Sequence, residues 1–137
     1  MELIAHTYEG TLDCAELDGV REIDHVINGY QATGVYRPEN WLFVRDGGQD
    51  VGVLLLTDHP KGRHWELMYT ALVPAARGRG WGRQITRYAQ WLARGANVER
   101  IVVAVDAANS PAVAMYRDSG FESWDERAVY VRVPHRE

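Results

Sequence analysis

The chain has 137 residues, of which 46% are hydrophobic and 25% charged, and its formal net charge is −4. This length and composition predict one globular domain, spanning residues 1–137, with a single sizeable core. The acidic balance argues against binding to nucleic acid or to an anionic membrane through overall charge, so we expect neither partner.

Signals for disulfides, metal binding and export are weak in this sequence. Cys14 is the only cysteine, which excludes an intrachain disulfide and a multi-cysteine zinc site. No basic-then-apolar leader follows Met1, and no apolar run approaches about 18 residues. We therefore expect a cytoplasmic protein without a bound metal. The histidines show no paired ligand spacing and are interpreted as surface residues: His6, His25, His59, His64 and His135.

The first forty residues contain one clear helical pattern. Residues 1–8 do not distinguish helix from strand, and residues 10–19 are rich in turn formers, which predicts a loop. From Val20 to Thr33 the apolar residues fall on one helical face, and Gly34 is placed to end that helix.

Three strands are predicted next, at residues 41–45, 51–57 and 65–73. A glycine-containing turn at 46–50 joins the first two as a hairpin. The third strand leads into a segment rich in glycine and arginine, and a helix follows from about Gly80 to Arg94.

The last third of the chain alternates strand and helix. The β-branched run 101–105 predicts a strand that is buried on both faces. Ser110 as the N-cap, with Pro111 at the first helical position, predicts a short helix that ends at Gly120. Residues 121–124 and 128–133 are interpreted as a final antiparallel pair.

This order of elements predicts an α/β (α+β) fold around one mixed sheet. The early strands follow each other as antiparallel neighbours, whereas a helix separates the strands at 65–73 and 101–105. A crossover through a helix makes those two strands parallel. The expected sheet is therefore mostly antiparallel and twisted, with one central parallel pair and helices on its faces.

The junction between the third strand and the following helix has the character of an anion site. Glycines there allow backbone N–H groups to approach a ligand, and a helix N-terminus adds unpaired donors and partial positive charge. Arg79, Arg83 and Arg87 recur every four residues and form one stripe. Their mutual repulsion favours a bound polyanion such as a pyrophosphate, although a solvated basic face would give the same pattern.

Two segments of the chain, within roughly residues 40–133, resemble the GNAT acetyltransferase superfamily. Arg77-Gly78-Arg79-Gly80-Trp81-Gly82 is similar to its acyl-CoA signature: Arg or Gln, two residues, Gly, one residue, Gly or Ala. The segment from Asn109 to Tyr116, continued by Ser119-Gly120-Phe121, resembles its Asn…Ala…Tyr…Gly-Phe segment. The resemblance implies an acyl-CoA N-acyltransferase-like domain that moves the acetyl group of acetyl-CoA directly to a small-molecule or peptide amine, as a possible homodimer.

The resemblance also implies where acetyl-CoA binds. In the family, the strand before the first motif splays from its parallel neighbour and the pantetheine arm lies in the gap. An N–H near Leu72 would polarise the thioester carbonyl. The loop from Gly78 to Arg83 would wrap the pyrophosphate, with Arg79 or Arg83 meeting a CoA phosphate. The implied cofactor-binding residues are Ala71, Leu72, Val73, Arg77, Gly78, Arg79, Gly80, Trp81, Gly82, Arg83, Asn109 and Tyr116.

The implied catalytic residues are Tyr116, Glu66 and the backbone of Leu72. Tyr116 aligns with the family tyrosine that protonates the departing thiolate; the alternative is a core aromatic on a short helix. Asn109 either contacts the CoA arm or caps the helix beside Ser110.

Glu66 lies eleven residues before Arg77, where histone-type members of the family carry their catalytic base. A regular strand would put Glu66 on the same face as Met68, Thr70 and Leu72, with Tyr69, a weaker candidate base, on the other face. The alternative for Glu66 is an exposed carboxylate near Arg63.

Two other functional classes remain open, and so does the identity of the acceptor. A CoA-binding module without transferase activity would fit the short N-terminal region, because the first strand of the family fold is either short or absent before Trp41. A nucleic-acid-binding module is disfavoured by the net charge. The acceptor site is expected to be shaped by residues 29–40 and 124–127.

Overall fold

The computed structural model describes residues 1–13, 22–130 and 132. Within them the chain forms four α-helices and four β-strands. The helices are α1 (Glu2–Thr7), α2 (Ile23–Ala32), α3 (Trp81–Gly95) and α4 (Ser110–Asp118). The strands are β1 (Trp41–Asp46), β2 (Gln49–His59), β3 (His64–Leu72) and β4 (Arg100–Val103).

The four strands form one mixed sheet in the order β1-β2-β3-β4. The first two pairs are antiparallel, whereas β3 and β4 are parallel and are joined through α3. This confirms the predicted α/β fold with a single parallel pair. The prediction that the fourth strand is buried on both faces is wrong, because β4 lies at the edge of the described sheet and its residues are exposed or only partly buried. The parallel arrangement follows from the helix between the two strands, since a helical crossover returns the chain in its original direction.

Helices cover both faces of the sheet. Leu54 and Leu56 of β2 pack on one face with α3 and with Tyr116 of α4. Val53 and Leu55 of the same strand pack on the other face with α1 and α2. Strand β2 is therefore buried on both sides, which is typical of an uninterrupted apolar run.

A β-bulge in β3 changes which side chains share a face. Leu55 pairs with Tyr69, but Leu56 pairs with Leu67, so Met68 is an extra residue without a counterpart in β2. The predicted common face of Glu66, Met68, Thr70 and Leu72 is therefore wrong. Past the bulge the alternation is inverted, and Glu66 lies on the same face as Tyr69.

The N-terminal region contains a helix at a segment whose type was left open by its sequence pattern. Residues 2–7 form α1. Among the described residues before Trp41, the only sheet-like pairing is an isolated bridge between Val35 and Asp58. The predicted helix from Val20 is observed from Ile23, and Val20 itself lies outside the described residues.

Two predictions for the C-terminal part are corrected. The N-cap of α4 is Asn109, whose side chain accepts a hydrogen bond from the N–H of Ala112, and not Ser110. The predicted final strand pair is wrong where it is described, because residues 121–130 form no strand. Trp124 lies over the Arg100 guanidinium at 5.8 Å instead of packing in a sheet. Part of 128–133 lies outside the described residues.

The described helices are too short or too polar for any of them to span a lipid bilayer.

Candidate active site

The sheet opens between β3 and β4 where the predicted donor site lies. Parallel pairing runs from His64 with Arg100 to Leu67 with Val103. Beyond Leu67, strand β3 continues to Leu72, and in the described structure this part pairs only with β2. Among the described residues, this edge of five successive residues has no strand partner. Apart from the carbonyl of Leu72, which accepts from Arg77, it can pair with an extended ligand.

The open edge presents the backbone of Thr70 and Leu72. The N–H of Val73 donates to the carbonyl of Val51 at 2.8 Å, which directs it towards β2. Because backbone groups alternate along a strand, Ala71 also faces β2, and Thr70 and Leu72 face the gap. The N–H of Leu72, which the sequence analysis predicted to polarise the thioester carbonyl, therefore faces the gap. The N–H of Thr70, which the sequence analysis did not consider, faces it as well.

The glycine-rich segment forms the entrance to α3. Gly78 and Gly80 have φ values of 79° and 76°, in the left-handed region that favours glycine. Gly80 is the N-cap of α3 and provides no side-chain hydrogen bond. The N–H groups of Trp81, Gly82 and Arg83 occupy the first turn, where an α-helix leaves its donors unpaired. This geometry suits an anion such as a pyrophosphate.

The arginine stripe is exposed at this entrance. Arg83 and Arg87 lie exposed on α3. Arg79 approaches Asp46 of β1 at 3.9 Å, and both side chains are more than half exposed. An exposed pair at that distance contributes little to stability, so Arg79 can reorient towards a ligand at small cost.

Arg77 serves a different purpose from the other arginines. Its Nε donates to the carbonyl of Leu72 at 3.1 Å, and its Nη2 donates to the carbonyl of Thr7 at 2.9 Å. Nη1 lies 3.5 Å from the carbonyl of Gly10. The guanidinium therefore joins the C-terminal end of α1 to the end of β3, where its charge also suits the helix terminus.

Replacing Arg77 by alanine is expected to lower the free energy of unfolding by about 1–2 kcal/mol, because charge-assisted hydrogen bonds are lost at a partly exposed site. Urea unfolding measures this change. Arg79→Ala is the matched control and should shift stability by less than about 0.5 kcal/mol. Equal losses in the two variants would show that the contacts of Arg77 with α1 do not stabilise the fold.

Tyr116 lies in the core cluster beneath the open edge. Its side chain belongs to the same core cluster as Leu67, and Leu72 packs against that cluster. The rings of Tyr116 and Phe121 meet edge-on, with centroids 5.5 Å apart. Burial, reinforced by the Asp13 carboxylate, raises the pKa of the Tyr116 phenol to about 12. The hydroxyl therefore stays protonated and can act as a donor throughout the neutral range.

Asn109 has a local structural role at the start of α4. Its Oδ1 accepts from the N–H of Ala112 at 3.3 Å, which is the capping alternative raised by the sequence. Contact with a CoA arm would have to use the remaining amide N–H groups, and it stays a prediction.

Glu66 is paired with a histidine and not with an arginine. Its Oε2 lies 2.8 Å from Nε2 of His59, and the two side chains are 29% and 25% exposed. Arg63 instead pairs with Glu99 at 2.9 Å. The sequence analysis missed His59 because it ended β2 at residue 57, although the hairpin that joins β2 to β3 brings the two residues together.

Tyr69 lies on the same face as Glu66, within a group of tyrosines. It stacks on Tyr8 and Tyr30 with ring centroids 5.2 and 5.7 Å apart, and its hydroxyl lies 2.8 Å from Oγ1 of Thr7. Burial raises the pKa of the Tyr69 phenol well above its ordinary value. A phenol that stays neutral is a poor base at neutral pH, which weakens its candidacy for proton abstraction.

The described residues contain no group of three or more His, Cys, Asp or Glu side chains placed to hold a metal ion. Cys14 lies outside the described part of the chain.

Comparison with known proteins gives a consistent family match. The family model described as "Acetyltransferase (GNAT) family" matches residues 7–121. A mycothiol acetyltransferase from Pseudarthrobacter chlorophenolicus is 28% identical over 130 residues, covering 91% of this chain and 37% of the relative. One from Thermobifida fusca is 34% identical over 96 residues, covering 69% of this chain and 27% of the relative. The chain thus spans about a third of the length of these relatives.

The architecture also matches solved structures. A Bacillus subtilis acetyltransferase solved in complex with CoA superimposes with a TM-score of 0.60 at 17% sequence identity. The match covers 72% of this chain and 60% of that protein. At this identity the comparison establishes a shared fold.

Proposed function

The chain belongs to the acetyltransferase (GNAT) family, and from that premise we propose that it transfers an acetyl group from acetyl-CoA directly to an amine. The observation that supports this most strongly is that the open edge of β3 leads along the chain, within nine residues, to the glycine-rich N-terminus of α3. An extended pantetheine arm fits the first part, and a pyrophosphate fits the second.

The backbone of β3 would orient and activate the thioester. The N–H groups of Thr70 and Leu72 point into the gap, so either can donate to the carbonyl oxygen as negative charge develops on it. The carbonyl of Leu72 is already bound by Arg77, which holds this end of the strand in place. We propose that Gly78 to Arg83 bind the pyrophosphate and that Arg79 or Arg83 meets a phosphate.

Tyr116 would assist the leaving group. Attack by the amine forms the new C–N bond, and the C–S bond then breaks to release the CoA thiolate. A phenol with a pKa of about 12 is a weaker acid than free tyrosine, so complete proton transfer to sulfur is less favourable. Its main contribution would then be a hydrogen bond to the developing thiolate, followed by protonation of the sulfur.

The acceptor would be a small-molecule or peptide amine. Its binding site is proposed between the segment that follows α2 and the α1/α2 face of β3, where the tyrosine group and the His59–Glu66 pair lie. The curated relatives are named for mycothiol, so a mycothiol-related amine belongs in any acceptor panel beside a peptide with a free N-terminus.

A CoA-binding module without transferase activity is the second candidate. It is favoured by the absence of a strand before Trp41 in the described residues, where the acceptor side of the site would be less enclosed. Thermal unfolding with acetyl-CoA and release of free thiol in the presence of an amine panel separate the two candidates. A raised melting temperature with amine-dependent thiol release supports the transferase; a raised temperature alone supports the module. No shift at saturating acetyl-CoA contradicts both.

A further inference from the structure

We propose that His59, oriented by Glu66, is the group that removes the proton from the acceptor amine. The inference rests on the proposed acetyl transfer. It changes the role of Glu66 from that of the base itself to that of a positioning residue. The observation behind it is the hydrogen-bonded pair of His59 and Glu66 together with the contacts that fix the imidazole ring.

The imidazole of His59 is held on three sides. Its Nε2 lies 2.8 Å from Oε2 of Glu66. The ring of His64 stacks on it with centroids 4.7 Å apart and an interplanar angle of 18°. On a third side lies Gly34, where an added Cβ would be 3.0 Å from Cε1 and 3.1 Å from Nδ1 of His59. The ring orientation is therefore set by contacts from strand β3 and from the loop after α2.

Glycine at two positions makes this arrangement possible. A Cβ at residue 34 would also lie 2.7 Å from the carbonyl oxygen of Asp58, and the φ of Gly34 is 59°. A Cβ at residue 62 would lie 2.5 Å from Nδ1 of His64. Any other residue at either position would displace an imidazole. The two glycines thus allow the loop and the turn to approach the histidines closely.

Other contacts hold the loop after α2 against β2. The N–H of Val35 donates to the carbonyl of Asp58 at 2.8 Å. Oγ1 of Thr57 donates to the carbonyl of Thr33 at 2.8 Å. This loop lies within the segment expected from the sequence to border the acceptor site, so His59 stands beside the region where the amine would enter.

The pair with Glu66 determines which nitrogen of His59 is available. An ionised carboxylate can only accept hydrogen bonds, so Nε2 carries the proton that it shares with Glu66. In the neutral ring the lone pair is then on Nδ1, on the side where Gly34 has no side chain. Glu66 would also stabilise the imidazolium formed when Nδ1 takes a proton, as the carboxylate of a catalytic triad does.

The pair lies at the closed end of the β3–β4 gap. Glu66 pairs with Val102 of β4, one residue before the parallel pairing ends. Because of the bulge at Met68, Glu66 shares its face with Tyr69, which lies on the open edge two residues beyond the last parallel pair. We propose that a proton released at the gap reaches His59 along this face through bound water.

In the proposed transfer, protons move between the acceptor amine, His59, Tyr116 and solvent. Nδ1 of His59 takes a proton from the ammonium form of the acceptor, which frees the nitrogen lone pair for attack on the thioester carbon. The C–N bond forms and the C–S bond breaks. The second nitrogen proton passes to solvent as the amide forms. Tyr116 gives its proton to the thiolate and regains one from solvent, and the imidazolium returns its proton to solvent, so the net release is one proton.

Other charged groups near His59 are paired. Asp58 of β2 accepts from Nε of Arg37 at 2.9 Å, and this pair lies on the loop side of the ring. From β3 the ring meets Glu66 and His64. Among the described residues, Glu66 is therefore the acidic side chain that contacts His59.

The test compares two acceptors whose nitrogens differ in protonation at pH 7. A primary alkylamine is protonated and needs a base, whereas methoxyamine is already neutral. His59→Gln is expected to reduce kcat/KM for the alkylamine by about 10²-fold, in the range of general base catalysis, and to reduce it much less for methoxyamine. Raising the pH should partly restore the alkylamine rate in this variant.

Controls separate this role from folding and from the proposed function. His25→Gln changes an exposed histidine on α2 and should match wild type. Melting temperatures with and without acetyl-CoA should be similar for wild type and His59→Gln. Glu66→Gln should show the same selective loss with a smaller magnitude.

Four results would overturn the inference. An equal loss for both amines would show a structural role, and wild-type rates in His59→Gln would show no role. A selective loss in Glu66→Gln alone would return the base to Glu66. If wild-type protein binds acetyl-CoA but acetylates neither amine, the proposed transfer fails and the inference fails with it.

Discussion

Tyr116→Phe is expected to lower kcat for amine acetylation by about 10²–10⁴-fold, the usual contribution of a positioned acid. The hydroxyl lies on the only α4 residue that is buried in the core cluster beneath the β3 edge, so no neighbouring side chain of α4 is placed to replace it. Phenylalanine keeps the ring and its edge-on contact with Phe121, which limits the change to one oxygen atom. Thiol release with a fixed amine measures the effect.

Binding and stability should change little in the same variant. The shift in melting temperature caused by acetyl-CoA should be retained, because the phenol would act on the leaving sulfur and not on the pyrophosphate. Tyr130→Phe is the matched control, since Tyr130 is almost fully exposed. Normal turnover in Tyr116→Phe would assign protonation of the thiolate to solvent and leave Tyr116 as a core residue.

The pKa of Tyr116 also predicts a pH dependence. Burial raises it from 10.0 to about 12, so ionisation of this phenol should not reduce activity until the pH approaches the upper value. The unfolded chain ionises near 10, before the folded protein does. The stability contributed by the neutral phenol is thus complete below pH 10 and declines as the pH rises towards 12. Urea unfolding of wild type and Tyr116→Phe between pH 10 and 12 tests whether this part of the unfolding free energy declines as the pH rises.

Gly80→Asp is expected to weaken acetyl-CoA binding by about 100-fold or more, equivalent to about 2.7 kcal/mol, because it places a carboxylate where the pyrophosphate would bind. The ligand-free protein should be as stable as wild type or slightly more stable. Aspartate tolerates the left-handed conformation at φ 76°, and its charge is favourable at the N-terminus of α3. Isothermal titration with acetyl-CoA and thermal unfolding of the free protein measure the two effects.

Gly80→Asn separates charge from shape at the same position. Asparagine has nearly the same size and also tolerates a positive φ, but it carries no charge. The Kd of Gly80→Asn for acetyl-CoA should be at least about tenfold lower than that of Gly80→Asp, a difference of roughly 1.4 kcal/mol in binding free energy. Equal affinities for the two variants would mean that no anion binds at the entrance to α3.

Local sequence signals were sufficient for most of the secondary structure. The apolar runs gave β2 and β4, and the left-handed Gly120 follows the end of α4 as predicted. These features depend on neighbours within a few residues, through periodicity, turn chemistry and helix termini. The two motifs also identified the family, which the comparison confirmed.

The C-terminal prediction failed because a strand depends on a partner as well as on composition. Residues 128–130 have a suitable β-forming sequence, yet the described part of this segment pairs with no edge of the sheet. β-Propensity indicates that the side chains of a segment suit a sheet, but a strand also needs a neighbouring strand to pair with.

Only the tertiary structure determined the details of the candidate site. The bulge at Met68 exists in the register between β2 and β3, and it moves Glu66 to the face of Tyr69. The hairpin that pairs Glu66 with His59 likewise depends on where β2 ends. These contacts form between strands, so no periodicity within one strand could predict them.

In the glycine–arginine segment, the sequence determined the local backbone and the tertiary structure determined the partners of the side chains. The sequence determined that residues 77–83 form a strand-to-helix junction suited to an anion, because glycine conformation and helix termini are local properties. It could not assign different roles to its arginines. The tertiary structure did so by bringing the end of α1 within hydrogen-bonding distance of Arg77, while Arg83 remains exposed at the entrance to α3. A side chain's partner, unlike its local backbone, depends on the residues that folding brings near it.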